Sequence, residues 1–351
     1  MIEREILLRA AREFSAQQRQ DRTTCVASYL VGSVARDELP LGEAVDLDIV
    51  LVDEDPPDKY EECVRITDSV LIECRFSRPD DYDDKRALRQ HPLHAQSLFD
   101  AFPLHDTGHF FDLMQAAVRG QFDTPQNVYA RSRNAYLEAR KHFQAVTDFR
   151  VDPAPIPLDC DELHDLQAVF EWGVTALLTI VYEPHSCRRH MVRLEQAASR
   201  LERPDIVDLA ADGLGYRGLT ETDVAELRAV WLEIYNAAGR FHQGPWDEDQ
   251  VVHPYKQLYY LRGFEALAAD GYAWHSLALM EHTLATCASQ ILTHAPPEEA
   301  APYLEQYTAW LVRTRKGSEQ AFAERVTQAG EFLEEVDTVL VDWARNEGLL
   351  L

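Results

Sequence analysis

The chain is poor in positive charge and nearly devoid of lysine. Among 351 residues, 34 lysines and arginines face 60 aspartates and glutamates, a formal net charge of -26. The lysines are only Lys59, Lys85, Lys141, Lys256 and Lys316. A protein that grips DNA or tRNA carries a basic patch to meet the phosphates. No such cluster exists here, which argues against nucleic acid as a partner. An acidic surface draws cations, so a cationic small molecule suits the chain better, although acidity also serves solubility alone. Long apolar runs are missing too: none reaches the ~20 residues of a membrane-spanning helix. The charged, amphipathic start Met1-Ile2-Glu3-Arg4-Glu5-Ile6 lacks the apolar centre of a secretion signal. The six cysteines (Cys25, Cys63, Cys74, Cys160, Cys187 and Cys287) contain no Cys-x-x-Cys pair. That excludes a zinc knuckle or redox motif and fits reduced thiols. The expectation is a cytoplasmic protein with no membrane association.

What is present divides the chain in two. Apolar runs rich in Val, Ile and Leu at 24–31, 45–52 and 69–76 read as strands. A fourth strand-like piece covers Ser97–Leu104, ahead of an Asp106-Thr107-Gly108 turn signal. A helical spacing occupies 2–18. Pro56-Pro57 and Pro79 open short helices, since proline fits a first helical turn. Beyond about residue 109 helical periods take over, at 125–146, 162–182, 222–241, 273–293 and 318–345. Val151–Leu158, with three prolines, is a connector that cannot be helical throughout. The apolar stripes, including Trp172, Trp231, Trp274 and Trp343, read as core faces of a helical bundle.

The chemistry sits in the first third. Tyr29-Leu-Val-Gly32-Ser33-Val-Ala-Arg36 is an apolar run broken by Gly-Ser. After twelve residues comes Asp46-Leu47-Asp48 within Val45–Val52. Strand side chains alternate, so Asp46 and Asp48 point the same way. Two adjacent carboxylates repel unless a cation lies between them, as in a magnesium site. The Gly-Ser turn offers backbone N–H groups to a phosphate.

These residues resemble the nucleotidyltransferase superfamily related to DNA polymerase β, whose pattern is apolar strand, Gly-Ser, about a dozen residues, then Asp-apolar-Asp. The Ala35-Arg36 that follows also matches a common variant. The resemblance is most like the small-molecule enzymes that adenylylate aminoglycosides or lincosamides, and it covers only the first third. It implies an α+β fold: a catalytic domain with a mixed sheet at 1–118, then an all-α domain at 119–351 forming the acceptor side of a cleft. It also implies a third carboxylate on a later strand, which here is Glu73 within Ser69–Phe76.

The implied reaction moves a nucleoside monophosphate, AMP from ATP or its equivalent from another nucleoside triphosphate, to a hydroxyl of a small acceptor and releases pyrophosphate. Asp46, Asp48 and Glu73 would hold two Mg2+ ions about 4 Å apart. Glu73 would also help deprotonate the nucleophile. Gly32 would let the backbone approach the triphosphate, Ser33 would bond a phosphate oxygen, and Arg36 would pair with phosphate unless Asp37 or Glu38 claims it. An acceptor-binding group from the helical half would come from Asp165, Glu171 or Glu183, with no motif to choose among them.

The competing reading is a nucleotide-binding regulator, or a toxin–antitoxin-type nucleotidyltransferase acting on a protein or tRNA. The helical half contains no Arg followed by His after four to six residues, the mark of a partner ribonuclease, and all three carboxylates are present, so an enzyme is favoured. The histidine pairs His91/His94 and His105/His109 have helical zinc spacing, but Pro92 and Gly108 interrupt them.

Overall fold

A computed structural model describes residues 2–57, 61–148, 160–244, 246 and 250–349. The proline-rich connector at 151–158 lies outside the described residues. The fold is mixed α+β: one five-stranded sheet and many helices. The chain forms two compact units, one of Met1–Val128 with Pro245–Ala266, the other of Tyr129–Gly244 with Leu267–Leu351.

In the first unit, helix α1 (Arg4–Asp21) leads into strand β1 (Cys25–Val31) and the short helix α2 (Gly32–Ala35). Then follow β2 (Val45–Asp53), β3 (Glu61–Thr67), β4 (Val70–Ser77), α3 (Lys85–Gln90), α4 (His94–Asp100), β5 (Phe102–Asp106) and α5 (Phe110–Arg119). The sheet order is β3-β4-β2-β1-β5. Only β2 and β4 run parallel; the other neighbours are antiparallel. Alternation along β2 sends Leu47, Ile49 and Leu51 into a core with Leu7, Leu8, Ala11 and Phe14 of α1. The opposite face carries Tyr29, Val31 and Val52, packed on Leu88, Leu98, Phe111 and Met114. A one-residue slip of β2 would drive its carboxylates into the α1 core, so the register is fixed by burial.

The strands expected at 24–31, 45–52 and 69–76 correspond to β1, β2 and β4. The piece expected as a strand at 97–104 is instead the end of α4, with β5 starting at Phe102. Ala95 and Leu98 reach the core at helical spacing, which overrides the local strand signal. The helix expected from Pro56-Pro57 has no counterpart among the described residues: Pro56 and Pro57 carry no helix, and from Glu61 the chain is strand β3. Pro79–Tyr82 does form a short 3-10 turn.

The second unit is helical: α6 (Pro125–Asp148, which starts just before it), α7 (Cys160–Ile180), α8 (His190–Arg200), α9 (Asp205–Gly213) and α10 (Glu221–Phe241). After α11 (Lys256–Ala269), which lies mostly in the first unit, come α12 (Leu277–His294), α13 (Pro297–Arg313) and α14 (Glu319–Asn346). Trp231, Trp310, Phe170 and Phe332 are fully buried in it; of the four tryptophans expected in the core, Trp231 is buried and Trp172, Trp274 and Trp343 are half-buried. Its core also holds a charge pair with no exposed surface on either partner, Glu281 and Lys316, Nζ to Oε2 3.0 Å. Tyr216, Gln167, Trp310 and Thr314 also donate hydrogen bonds to the Glu281 carboxylate.

Candidate metal centre

Asp46 and Asp48 project from β2, and Glu73 stands opposite Asp48 on β4. Residues paired across adjacent strands share a face, so the three carboxyl groups meet. One oxygen from each lies within 4.8 Å of the others. Burial pushes the Asp48 carboxyl well above its usual pKa, and the charges of Asp46 and Glu73 push it further. Burial also raises Glu73, against the opposing pull of Lys256. Such a cluster is electrostatically incomplete without added positive charge.

The Gly32-Ser33 corner closes one side. Gly32 has φ +77°, and a Cβ placed there would lie 2.1 Å from Asp48 Oδ2. Glycine is therefore required twice, by the left-handed backbone and by the carboxylate against it. Ser33 is half-buried beside it. Arg36 is already engaged, with Nε 2.6 Å from Glu38 Oε1 and Nη1 4.0 Å from Asp100 Oδ2.

Two residues that the sequence did not single out complete the cluster. Lys256 Nζ lies 3.0 Å from Glu73 Oε1, and its side chain is 7% exposed. Tyr259 donates its hydroxyl hydrogen to Asp46 Oδ2 at 2.6 Å. Three positions apart in the first turn of α11, they share one helix face. Their helix packs tightly on the loop before β2: a Cβ on Gly42, φ +66°, would lie 2.0 Å from the Arg262 carbonyl oxygen. Burial pulls the Lys256 pKa down, but Tyr260, Glu73 and Cys63 outweigh it and hold the ammonium above its usual range. The one available signal was scarcity: in so lysine-poor a chain, a lysine flanked by aromatics stands out.

The donor set is all oxygen, which fits a hard cation such as Mg2+. Burial pushes the nearby Cys63 thiol up to about 11, which keeps it protonated in the absence of a metal. Arg75, two residues beyond Glu73 on the same strand face, places Nε 2.6 Å from Glu61 Oε1.

The histidine pairs go elsewhere. His91 Nδ1 accepts the backbone N–H groups of Leu93 and His94. His105 bonds Arg19 and Thr107. His109 forms a second ligand-bearing group with Asp106 and Asp112, but it lies at the surface and Asp106 accepts the N–H groups of Phe111 and Asp112. In the helical unit, Asp165 pairs with His142, Glu171 with His185 and Glu183 with Arg200.

No family model matches the chain, and no curated protein matches it. No helix among the described residues is long and apolar enough to cross a membrane.

Proposed function

We propose that the chain is a divalent-metal-dependent nucleotidyltransferase of the polymerase-β-like superfamily, moving a nucleoside monophosphate, AMP from ATP, to a hydroxyl of a small acceptor. One observation carries this reading: three carboxylates from two parallel strands meet against a glycine held at positive φ. The five-stranded mixed sheet that positions them supports it.

In this reading the acceptor oxygen attacks the α-phosphorus, forming a new P–O bond as the bond from that phosphorus to the bridging oxygen breaks. Pyrophosphate leaves with that electron pair. Asp46, Asp48 and Glu73 would hold Mg2+, which supplies charge stabilisation for the attacking and leaving oxygens. Glu73 takes up the acceptor hydroxyl proton. Ser33, beside the carboxylates, bonds a phosphate oxygen. Arg36 is left out of this set because Glu38 and Asp100 already neutralise it. The chain's acidity favours a cationic acceptor over nucleic acid.

The test is incubation with Mg2+, ATP labelled at the α-phosphate and a cell extract, with mass identification of the labelled product. The expected result is a labelled small molecule and stoichiometric pyrophosphate, both abolished by Asp46→Ala with Asp48→Ala. Label transfer that survives the double substitution overturns the assignment. Triphosphate binding without turnover on any acceptor replaces it with a nucleotide sensor.

A further inference from the structure

We infer that Lys256 is a built-in cation that takes the place of one divalent ion, so that the centre without nucleotide holds a single ion and α11 sets that number. This rests on the metal-binding part of the proposed function and extends it to how the site is regulated.

The Lys256 ammonium sits at Glu73 Oε1 at 3.0 Å, and both side chains are nearly buried, 7% and 12% exposed. The Tyr259 hydroxyl occupies Asp46 Oδ2 at 2.6 Å. One helical turn thus engages an oxygen of two of the three carboxylates. Asp48, lying between Asp46 along β2 and Glu73 across the sheet, meets the Gly32 backbone instead. A cation needing Glu73 Oε1 must displace the ammonium, whereas Asp46 Oδ1 and the Asp48 carboxylate are not taken by α11.

Charge gives the same count. Four carboxylates are joined to the cluster by register or ion pair: Asp46, Asp48, Glu73 and Glu61. Among the described residues two fixed cations answer them, Lys256 and Arg75. One divalent ion completes the balance and a second leaves an excess of positive charge at short range, which a nearly buried site disfavours strongly. Removing the ammonium while keeping the alkyl chain halves the positive excess that a second ion leaves and frees Glu73 Oε1 to bind it.

Lys256 can act this way because its helix is fixed. Gly42 lets the Arg262 carbonyl approach the loop before β2, and the Arg65 guanidinium lies over the Tyr255 ring. These contacts anchor the backbone that carries Lys256. The device is a positioning one: Lys256 sets how many ions the carboxylates accept.

The test counts Mn2+ bound per full-length chain, read from the free Mn2+ signal in electron paramagnetic resonance, with no nucleotide present. The wild type should bind one ion, Lys256→Met two, and Lys256→Arg, which keeps the charge, one. Circular dichroism checks that each variant is folded, and Lys256→Gln substitutes for Lys256→Met if that variant does not fold. Two ions in the wild type, or equal counts in wild type and Lys256→Met, overturn the inference. If equal counts of one are lost in Asp46→Asn with Asp48→Asn, this inference fails alone and the metal centre stands. A wild type and a Lys256→Met variant that both bind no Mn2+ remove the metal centre and this inference together.

Discussion

The two units each bury carboxylate charge, in opposite ways. Glu281 in the helical unit is one carboxylate met by the Lys316 ammonium and four neutral donors, with no exposed surface. Asp46, Asp48 and Glu73 in the sheet unit are three carboxylates with one ammonium within bonding distance among the described residues. A buried polar network whose members are all satisfied rigidifies a core. A cluster that lacks positive charge destabilises its fold until something binds, and such stored cost collects at functional sites. The contrast separates a satisfied structural acid from a candidate metal cluster by counting partners.

The largest test of that contrast is the removal of the β2 acids. Asp46→Ala with Asp48→Ala should cut nucleotidyl transfer by about a thousandfold or more, the upper range for losing a preorganised electrostatic partner. Unfolding by urea should show stability unchanged or raised, because like-charge repulsion is relieved. A large loss of stability would make the cluster structural, like Glu281. The converse experiment is Lys316→Met, which strands the Glu281 carboxylate and should cost about 3–5 kcal/mol of unfolding free energy. Adding Glu281→Leu should recover a large part of it, whereas no recovery would show that packing and not charge governs that site.

A third test concerns pH. Burial depresses His190 from 6.5 to about 3, so between those values the unfolded chain binds the proton and the folded one does not. Stability should therefore fall as pH drops through this window. His190→Phe should flatten the slope by up to about 1.4 kcal/mol per pH unit. Identical slopes in denaturation at pH 4, 5 and 6 would show that His190 is protonated in the fold. Gly32→Ala should cost about 1–2 kcal/mol for the left-handed backbone alone, and it should weaken Mn2+ binding because its Cβ displaces Asp48. The smallest effect is expected for Tyr259→Phe: loss of about 1 kcal/mol or less for one hydrogen bond, with a few-fold tighter Mn2+ as Asp46 Oδ2 is freed. Weaker Mn2+ would mean that the hydroxyl supports the ion.

The parts of this arrangement that the sequence discloses are those with a period. Asp46-Leu47-Asp48 shows its shared face because strands alternate, and β1, β2 and β4 show their burial as apolar runs. The long stripes of α10 and α14 appear for the same reason. β3 is silent because it is an edge strand, Glu-Glu-Cys-Val-Arg-Ile-Thr, without a buried face to impose alternation. The break between α4 and β5 is hidden because Ala95, Leu98 and Ala101 serve one core from two backbone conformations. Lys256 and Tyr259 are hidden for another reason. Their partners are Glu73 and Asp46, close to 200 residues earlier, and no local pattern encodes that pairing.

The late return of Pro245–Ala266 to the first unit has a consequence for biosynthesis. Met1–Val128 leaves the ribosome with its acids uncovered, and the ammonium that answers Glu73 emerges only after the whole segment 129–244. Joining chain segments so far apart carries a loop-closure cost. The sheet unit of this chain therefore cannot reach its final electrostatic state as a nascent N-terminal fragment, and a translation product truncated after Val128 would carry the acids without their lysine.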